Sequence, residues 1–234
     1  MPASVEPALA REIGEKILVW WYRHRRDYPW RCERDPYKIL IAEVMLQRTR
    51  AEQVVPVYLE FVSRYPTVED LARARLEDVQ RYFAKLGLQW RAQKVLEMAV
   101  YIVNRFGGKL PQAEEDLLEI PGVGEYIAEA VLVFAYGADR VVVDTNVVRI
   151  VERLFCAKSR GEGRRDPEIR KIAYLLLVPG KAKELSWALI DFGALLCRST
   201  RPLCESCPLR DLCCHGRQKT RSEKAVDNYA RKRV

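Results

Sequence analysis

The sequence has no long apolar run, no leader-like start and no repeated or low-complexity segment. No window of about 18 residues is apolar and free of charge, which excludes a membrane-spanning helix. The first thirty residues carry several charged side chains and lack the apolar core of a signal peptide. We therefore expect a protein of a reducing, cytoplasmic compartment, where seven cysteines are not expected to form a disulfide scaffold.

The composition is that of a folded protein with a basic excess. Of 234 residues, 49% are apolar, and 40 Lys and Arg face 32 Asp and Glu, giving a net charge of +8. This length suits one large domain or two small ones, and the apolar content excludes a disordered chain. The basic excess fits either a polyanionic partner or an ordinary soluble surface. Residues 217–234 are expected to form a basic tail.

Apolar residues recur mostly at helical spacing, as in the stripe Ile13, Ile17, Trp20 and Trp21. Further helices are expected over 37–50, after a Thr67 cap, over 90–106, 166–178 and 181–196. The run Val141 to Val143 is strand-like but too short to build a sheet. The sequence therefore predicts an all-α protein.

Four cysteines lie in a 17-residue segment near the C-terminus, separated by six, two and five residues. They are Cys197, Cys204, Cys207 and Cys213. Four soft thiolates can enclose a tetrahedral zinc or an iron–sulfur cluster, and the single Cys-x2-Cys pair slightly favours iron–sulfur. Cys214 leaves the fourth ligand uncertain by one position. Cys32 and Cys156 are expected to be small buried hydrophobic residues.

A glycine-rich turn lies between two apolar segments in LEIPGVGEYIAEAV, residues 118–131. Gly122 and Gly124 allow a tight turn, and the free amides at the start of the second helix can hold a phosphate. Most such turns only connect helices. Asp144 follows the valine run twenty residues after Gly124, where it is either a helix N-cap or a carboxylate that stabilises a developing cation.

The IPGVG hairpin, the motif VDTNVVRI and the cysteine spacing, in this order, resemble the helix-hairpin-helix DNA glycosylases that carry a [4Fe-4S] cluster. The resemblance covers about residues 15–215. It implies an all-α, two-domain fold with a DNA groove and base pocket between the domains. Residues 30–137 would form a six-helix barrel domain with the hairpin, and residues 1–29 with 138–216 the cluster domain.

The resemblance also implies roles for three side chains. Asp144 takes the position of the catalytic aspartate, whose charge stabilises the sugar cation. Tyr126 stands where bifunctional relatives carry a lysine, and a phenol cannot form a Schiff base, so we expect a monofunctional enzyme. Glu43 matches the proton donor of adenine glycosylases, because burial favours a protonated carboxyl; alternatively it faces solvent or pairs with Arg48 or Arg50.

DNA contacts are implied at four places, and double-stranded DNA is the expected partner of a monomer associated with the nucleoid. Gln47 and Arg48 would fill the gap left by a flipped nucleotide, although a plain polar helix end has the same pattern. Leu88 takes the position of a wedge residue. The hairpin residues Gly122, Val123 and Gly124, and Arg198 and Arg201 of the cysteine segment, would meet phosphates.

Two substrates and one non-catalytic role remain open. The stretch AEVMLQRT favours an adenine glycosylase acting opposite guanine or 8-oxoguanine. Against it stand Gln47-Arg48, Leu88-Gln89 and Asp144-Thr145, which depart from the adenine pattern, and the absence of a long C-terminal extension. We therefore expect removal of thymine or uracil mispaired with guanine. A non-catalytic iron–sulfur DNA-binding protein is the third hypothesis.

Overall fold

The computed structural model describes residues 5–218, and within this range it is helical. From Pro7 to Leu195, eleven α-helices and three short 3₁₀ turns follow one another, and residues 214–218 are helical as well. The described range contains no β-strand, so the all-α prediction is confirmed. No helix in this range is long and apolar enough to cross a membrane. Of the predicted basic tail, 217–234, all but the first two residues lie outside the described range.

The chain divides into two compact units. The central unit is Asp27–Ala138, and the terminal unit combines Met1–Arg26 with Asp139–Val234. The central unit thus begins at residue 27 where the sequence suggested 30, and ends at 138 where it suggested 137.

The central unit is built from helices α2 to α8 around one hydrophobic core. Its largest fully buried side chains include Tyr58, Phe61 and Phe83. Helix α2 packs against α3 and α8, and α6 against α4 and α5. The helices are α2 (Pro36–Leu46), α3 (Ala51–Arg64), α4 (Val68–Ala72), α5 (Leu76–Lys85), α6 (Ala92–Phe106), α7 (Glu114–Glu119) and α8 (Glu125–Phe134).

The terminal unit joins the first helix of the chain to later ones. Its helices are α1 (Pro7–His24), α9 (Thr145–Phe155), α10 (Pro167–Leu175) and α11 (Ala182–Leu195). Asp191 of α11 is fully buried and accepts hydrogen bonds from Trp21 Nε1 at 2.9 Å and Arg26 Nε at 2.7 Å. Because a buried carboxylate must be paired, these two bonds fix the end of α1 against α11.

Local signals explain several helix boundaries. Thr67 and Asp70 form the predicted capping box at the start of α4, and Gly107 ends α6 in the left-handed conformation, with φ +61°. The helix expected over 37–50 is shorter than predicted. It ends at Leu46, and a turn containing Arg48 at φ +63° precedes α3.

Candidate active site and cysteine loop

Asp144 lies at the start of α9, directly after the buried valines Val141 to Val143. Its Oδ1 accepts a hydrogen bond from the Val147 amide at 2.8 Å, and its Oδ2 accepts one from Asn146 Nδ2 at 2.6 Å. Burial raises the pKa of Asp144, while these hydrogen bonds lower it in part. The side chain is thus a helix N-cap and a fixed carboxylate at the same time, so the two interpretations from the sequence do not exclude each other.

A hydrogen-bonded network continues from Asp144 into the neighbouring helix. Asn146 Oδ1 accepts from Arg149 Nη2 at 2.7 Å. Arg149 also donates from Nη2 to the Gly193 carbonyl and from Nε to the Cys197 carbonyl, each at 2.9 Å. The carboxylate is therefore linked, through two side chains, to the backbone at the end of α11 and at the first cysteine of the loop.

Gly193 is required by this arrangement. A Cβ placed on Gly193 would lie 2.5 Å from Asn146 Cβ, closer than real side chains approach. Sequence reasoning missed Asn146, Arg149 and Gly193 as a group. A glycine inside a helix of good helix formers was the available signal, because such a glycine often marks a close approach.

The four cysteines of the loop surround one cavity. All four are free and half-buried, and Leu196, Leu203 and Leu209 line the same space. Burial raises the pKa of Cys207 to about 11 and also raises that of Cys213. A cationic centre would have to offset this burial to hold the sulfurs as thiolates. The thiols are Cys197, Cys204, Cys207 and Cys213.

Arginine and backbone groups hold the loop in place. Arg153 Nη1 lies 3.4 Å from Cys197 Sγ and 2.6 Å from the Arg198 carbonyl, and Cys213 Sγ donates to the Arg153 carbonyl at 3.2 Å. In residues 5–218, no three His, Cys, Asp or Glu side chains are grouped to hold a single metal ion. The four thiols around one cavity are soft donors of the kind that bind zinc or an iron–sulfur cluster.

A disulfide joins Cys156 to Cys214, with their Cα atoms 5.7 Å apart. Five of the seven cysteines are free, so this single bond is not a disulfide scaffold. The expectation that Cys156 and Cys32 are buried is wrong, since both are exposed. The sequence did not indicate the bond because its two cysteines are 58 residues apart and only the fold brings them together. The bond also leaves Cys213, and not Cys214, as the free thiol of the loop.

Arg198 and Arg201 are exposed, as a phosphate contact requires. Arg198 Nε donates to the Leu195 carbonyl at 3.0 Å, which engages one N–H of its guanidinium group, and Arg201 has φ +50°. Both arginines lie on the surface of the terminal unit.

In the central unit, Glu43 and Tyr126 lie on different helices. Glu43 is only 5% exposed and sits inside α2 between apolar neighbours, so the alternative of a solvent-facing side chain is not observed. Tyr126, in the first turn of α8, is half-buried and packs against the core of the unit.

The predicted hairpin has the geometry that its glycines suggested. Gly122 has φ +85°, and Gly124 is the exposed N-cap residue of α8. Val123 is buried, so this residue can meet DNA only through its backbone. The amides at the start of α8 are those without intrahelical partners.

The turn after α2 and the segment before α6 differ in exposure. Gln47 is half-buried and Arg48 exposed. Leu88, expected as a wedge, is only 6% exposed and belongs to the core of the central unit. Trp90, two residues later, is exposed instead.

Comparison with known proteins agrees with these features. The family model of the HhH-GPD superfamily base excision DNA repair proteins matches residues 41–173, more than half of the chain. The thymine-DNA glycosylase of Aeropyrum pernix is 40% identical over 86% of this chain and 93% of its own length. The adenine DNA glycosylase of Homo sapiens is 33% identical over 93% of this chain and 43% of its own.

Solved structures give the same result. A thermostable thymine-DNA glycosylase superposes with a TM-score of 0.83 at 32% identity, covering 90% of this chain and 98% of that one. A DNA complex of endonuclease III, at 23% identity and a TM-score of 0.80, shares the fold. The family predicted from the motifs is confirmed: the chain belongs to the HhH-GPD superfamily of base excision DNA repair proteins.

Proposed function

We propose that this protein is a monofunctional DNA glycosylase that removes thymine or uracil mispaired with guanine and leaves an intact abasic site. One observation carries the proposal: Asp144 is a fixed carboxylate, with both oxygens hydrogen-bonded, in a chain that has Tyr126 in place of an amine nucleophile. The substrate is supported by the 40% identical relative, which is named a thymine-DNA glycosylase.

The reaction requires cleavage of the bond between C1′ of deoxyribose and the base nitrogen. The electron pair leaves with the base, which takes up a proton, and positive charge remains on the sugar. Asp144 stabilises this cation electrostatically until water adds at C1′ and loses its own proton. No covalent amine intermediate forms, because the phenol of Tyr126 cannot become a Schiff base.

Glu43 has a separate role in this scheme. We propose that Glu43, which is only 5% exposed within α2, acts as the general acid that donates a proton to the leaving base. Toward a thymine it would act as a hydrogen-bond donor to a carbonyl oxygen, since thymine leaves as an anion.

DNA is held by backbone amides and by arginines. The amides at the start of α8, after Gly122 and Gly124, bind a phosphate, and Arg198 and Arg201 bind others. Gln47 and the exposed Arg48 enter the gap left by the flipped nucleotide. Flipping costs less free energy at a mispair than at a paired base, which favours mispaired substrates.

We infer that the loop cysteines Cys197, Cys204, Cys207 and Cys213 bind a [4Fe-4S] cluster. The support is four free thiols around one cavity. When bound, the cluster supplies a rigid centre for the loop that carries Arg198 and Arg201. Iron content and absorbance near about 400 nm should be lost in Cys213→Ser and kept in Cys32→Ser; one equivalent of zinc without iron would contradict the inference.

Base release tests the reaction and the substrate together. Labelled duplexes carrying G·T, G·U, A·G or A·8-oxoguanine are incubated with the protein and then treated with alkali. We expect breaks at thymine and uracil, appearing only after alkali, and no covalent capture by borohydride. Strong capture would contradict the role of Tyr126, and release of no base would leave a non-catalytic DNA-binding protein.

Adenine is the second candidate substrate. Relatives named adenine DNA glycosylase reach 39% identity over 84% of this chain, and the buried Glu43 suits protonation of an adenine. Breaks at adenine opposite guanine or 8-oxoguanine, with none at thymine or uracil, would establish this alternative.

A further inference from the structure

Trp90 is the most exposed large hydrophobic side chain among residues 5–218, with 60% of its surface accessible. It lies in the 3₁₀ turn Gln89–Arg91, between α5 and α6. Leu88 and Ala92, two positions before and after it, are both buried. Trp90 itself is not part of the hydrophobic core of the unit, so its indole is available to a binding partner.

The indole is held in a fixed place by the residue that follows it. The guanidinium carbon of Arg91 lies 4.9 Å from the centroid of the Trp90 ring. Arg91 itself is buried and donates from Nη1 to the Val44 carbonyl at 2.9 Å, near the end of α2. Arg91 Nη1 also lies 3.5 Å from the Gln47 carbonyl, so Arg91 connects the indole to the turn that carries Gln47 and Arg48. A ring held in this way loses less conformational freedom when it binds a ligand.

A cavity of about 120 Å³ opens beside this ring. Besides Trp90, its wall includes Gln47, Lys94, Pro121 and Gly122. An enclosed cavity of about 150 Å³ holds a single benzene ring, so this smaller, open space can take only the edge of a base that stacks on the indole.

The lining groups match the parts of a nucleotide. The aromatic face offers stacking, the amide of Gln47 offers a donor and an acceptor for a base edge, and the exposed Lys94 offers a charge for a phosphate. Gly122 has no side chain to close the cavity, and its amide belongs to the hairpin turn. All of these groups lie in the central unit.

We propose that Trp90 is a stacking platform for a DNA base that has lost its partner, with Gln47 at the edge of the base and Lys94 at the backbone phosphate. Leu88, which was expected to contact DNA as a wedge, is part of the core, and we assign the contact with DNA in this segment to Trp90 instead. This inference rests on the proposed function in one respect: removal or flipping of a base is what produces the unpaired base.

The unpaired base can come from either strand, and three duplexes distinguish the sources. The first carries a tetrahydrofuran abasic site opposite guanine, so that only the orphaned guanine is available. The second carries 2′-fluorothymidine opposite guanine, from which the base is not released. The third is fully paired. Binding of the full chain to each duplex is measured for the wild type, Trp90→Ala, Trp90→Phe and the control Leu59→Ala, another exposed apolar residue of the same unit.

We expect Trp90→Ala to bind the abasic duplex roughly 5- to 100-fold more weakly, the range of one base–aromatic stack. The paired duplex should change much less, Trp90→Phe should recover most of the affinity, and Leu59→Ala should match the wild type. A defect for the 2′-fluorothymidine duplex alone would assign the stack to the excised base. Equal defects for all three duplexes, or none, would overturn the proposal.

Two further measurements separate this inference from other failures. Thermal unfolding of Trp90→Ala, expected to match that of Trp90→Phe, shows whether the variant is folded. If the wild type releases no base but Trp90→Ala still loses affinity selectively for the abasic duplex, the proposed function fails and the stacking site stands. If base release occurs and Trp90→Ala binds all duplexes like the wild type, the proposed function stands and the stacking site fails.

Discussion

The two units hold their candidate carboxyl groups in opposite ways. In the terminal unit, Asp144 receives hydrogen bonds on both oxygens, from Val147 and Asn146. In the central unit, Glu43 is only 5% exposed and lies within α2, whose other residues at this point are buried and apolar. Hydrogen-bond donors favour the charged form of a carboxyl group, although burial raises the pKa of Asp144 overall. The roles that we propose, charge stabilisation for Asp144 and proton donation for Glu43, can be tested separately.

The largest effect is expected from Asp144→Asn, which removes the charge and keeps a side-chain oxygen to cap α9. The rate of base release should fall about 10²- to 10³-fold, because one group that stabilises the charge of the transition state is lost. Single-turnover cleavage of a G·T duplex measures this, and binding of the same duplex should be nearly unchanged. A variant with wild-type rate would remove Asp144 from its role.

A smaller effect is expected from Glu43→Gln, which has the same shape but no acidic proton. Base release should fall about 10²-fold, the lower limit of general acid catalysis. The control is Glu60→Gln, an exposed acid of the same unit that pairs with Lys85. If Glu43→Gln retains the full rate on thymine, uracil and adenine alike, the contrast between the two carboxyl groups is wrong.

The smallest effect is expected from Asn146→Ala, and it should appear mainly in the pH dependence. The bond from Asn146 lowers the pKa of Asp144, which burial has raised above 3.8, so its loss moves this pKa further up. Because the carboxylate is the active form, acidification should begin to lower the rate of Asn146→Ala at a higher pH than that of the wild type. Above this range the loss should be about 10-fold, the lower end of the effect of one hydrogen bond to a charged group.

The control for this profile is Asn104→Ala, which removes an exposed asparagine of the central unit and should leave the pH dependence unchanged. If Asn146→Ala lowers the rate equally at every pH, its role is to support the fold around Gly193 and not the charge of Asp144.

Local features of the fold were predictable from sequence because their causes are local. The helical spacing, the Thr67 cap and the glycine that ends α6 each depend on a few adjacent residues. The end of α2 at Leu46 was not predictable in this way. The turn contains no glycine or proline, and nothing in the sequence around Arg48 indicates its positive φ.

For the candidate site, motifs identified the residue types but not their surroundings. Asp144 and the hairpin were found because their spacing is characteristic. The network through Asn146 and Arg149 depends on a close approach to Gly193, more than forty residues away in sequence, and the burial of Leu88 depends on the 3₁₀ turn before α6. Long-range packing of this kind leaves only weak signals in a single sequence.

The bond between Cys156 and Cys214 also acts on the unfolded chain. It closes a loop of 58 residues that runs from the end of α9 to the last cysteine of the chain. By the chain-entropy relation, such a loop restricts the unfolded ensemble by about 4 kcal/mol. The closed segment contains all four free thiols of the cysteine loop, so the bond restricts the part of the unfolded chain that carries them. Thermal unfolding with and without a reductant measures this contribution, which a Cys156→Ser, Cys214→Ser double variant should lose.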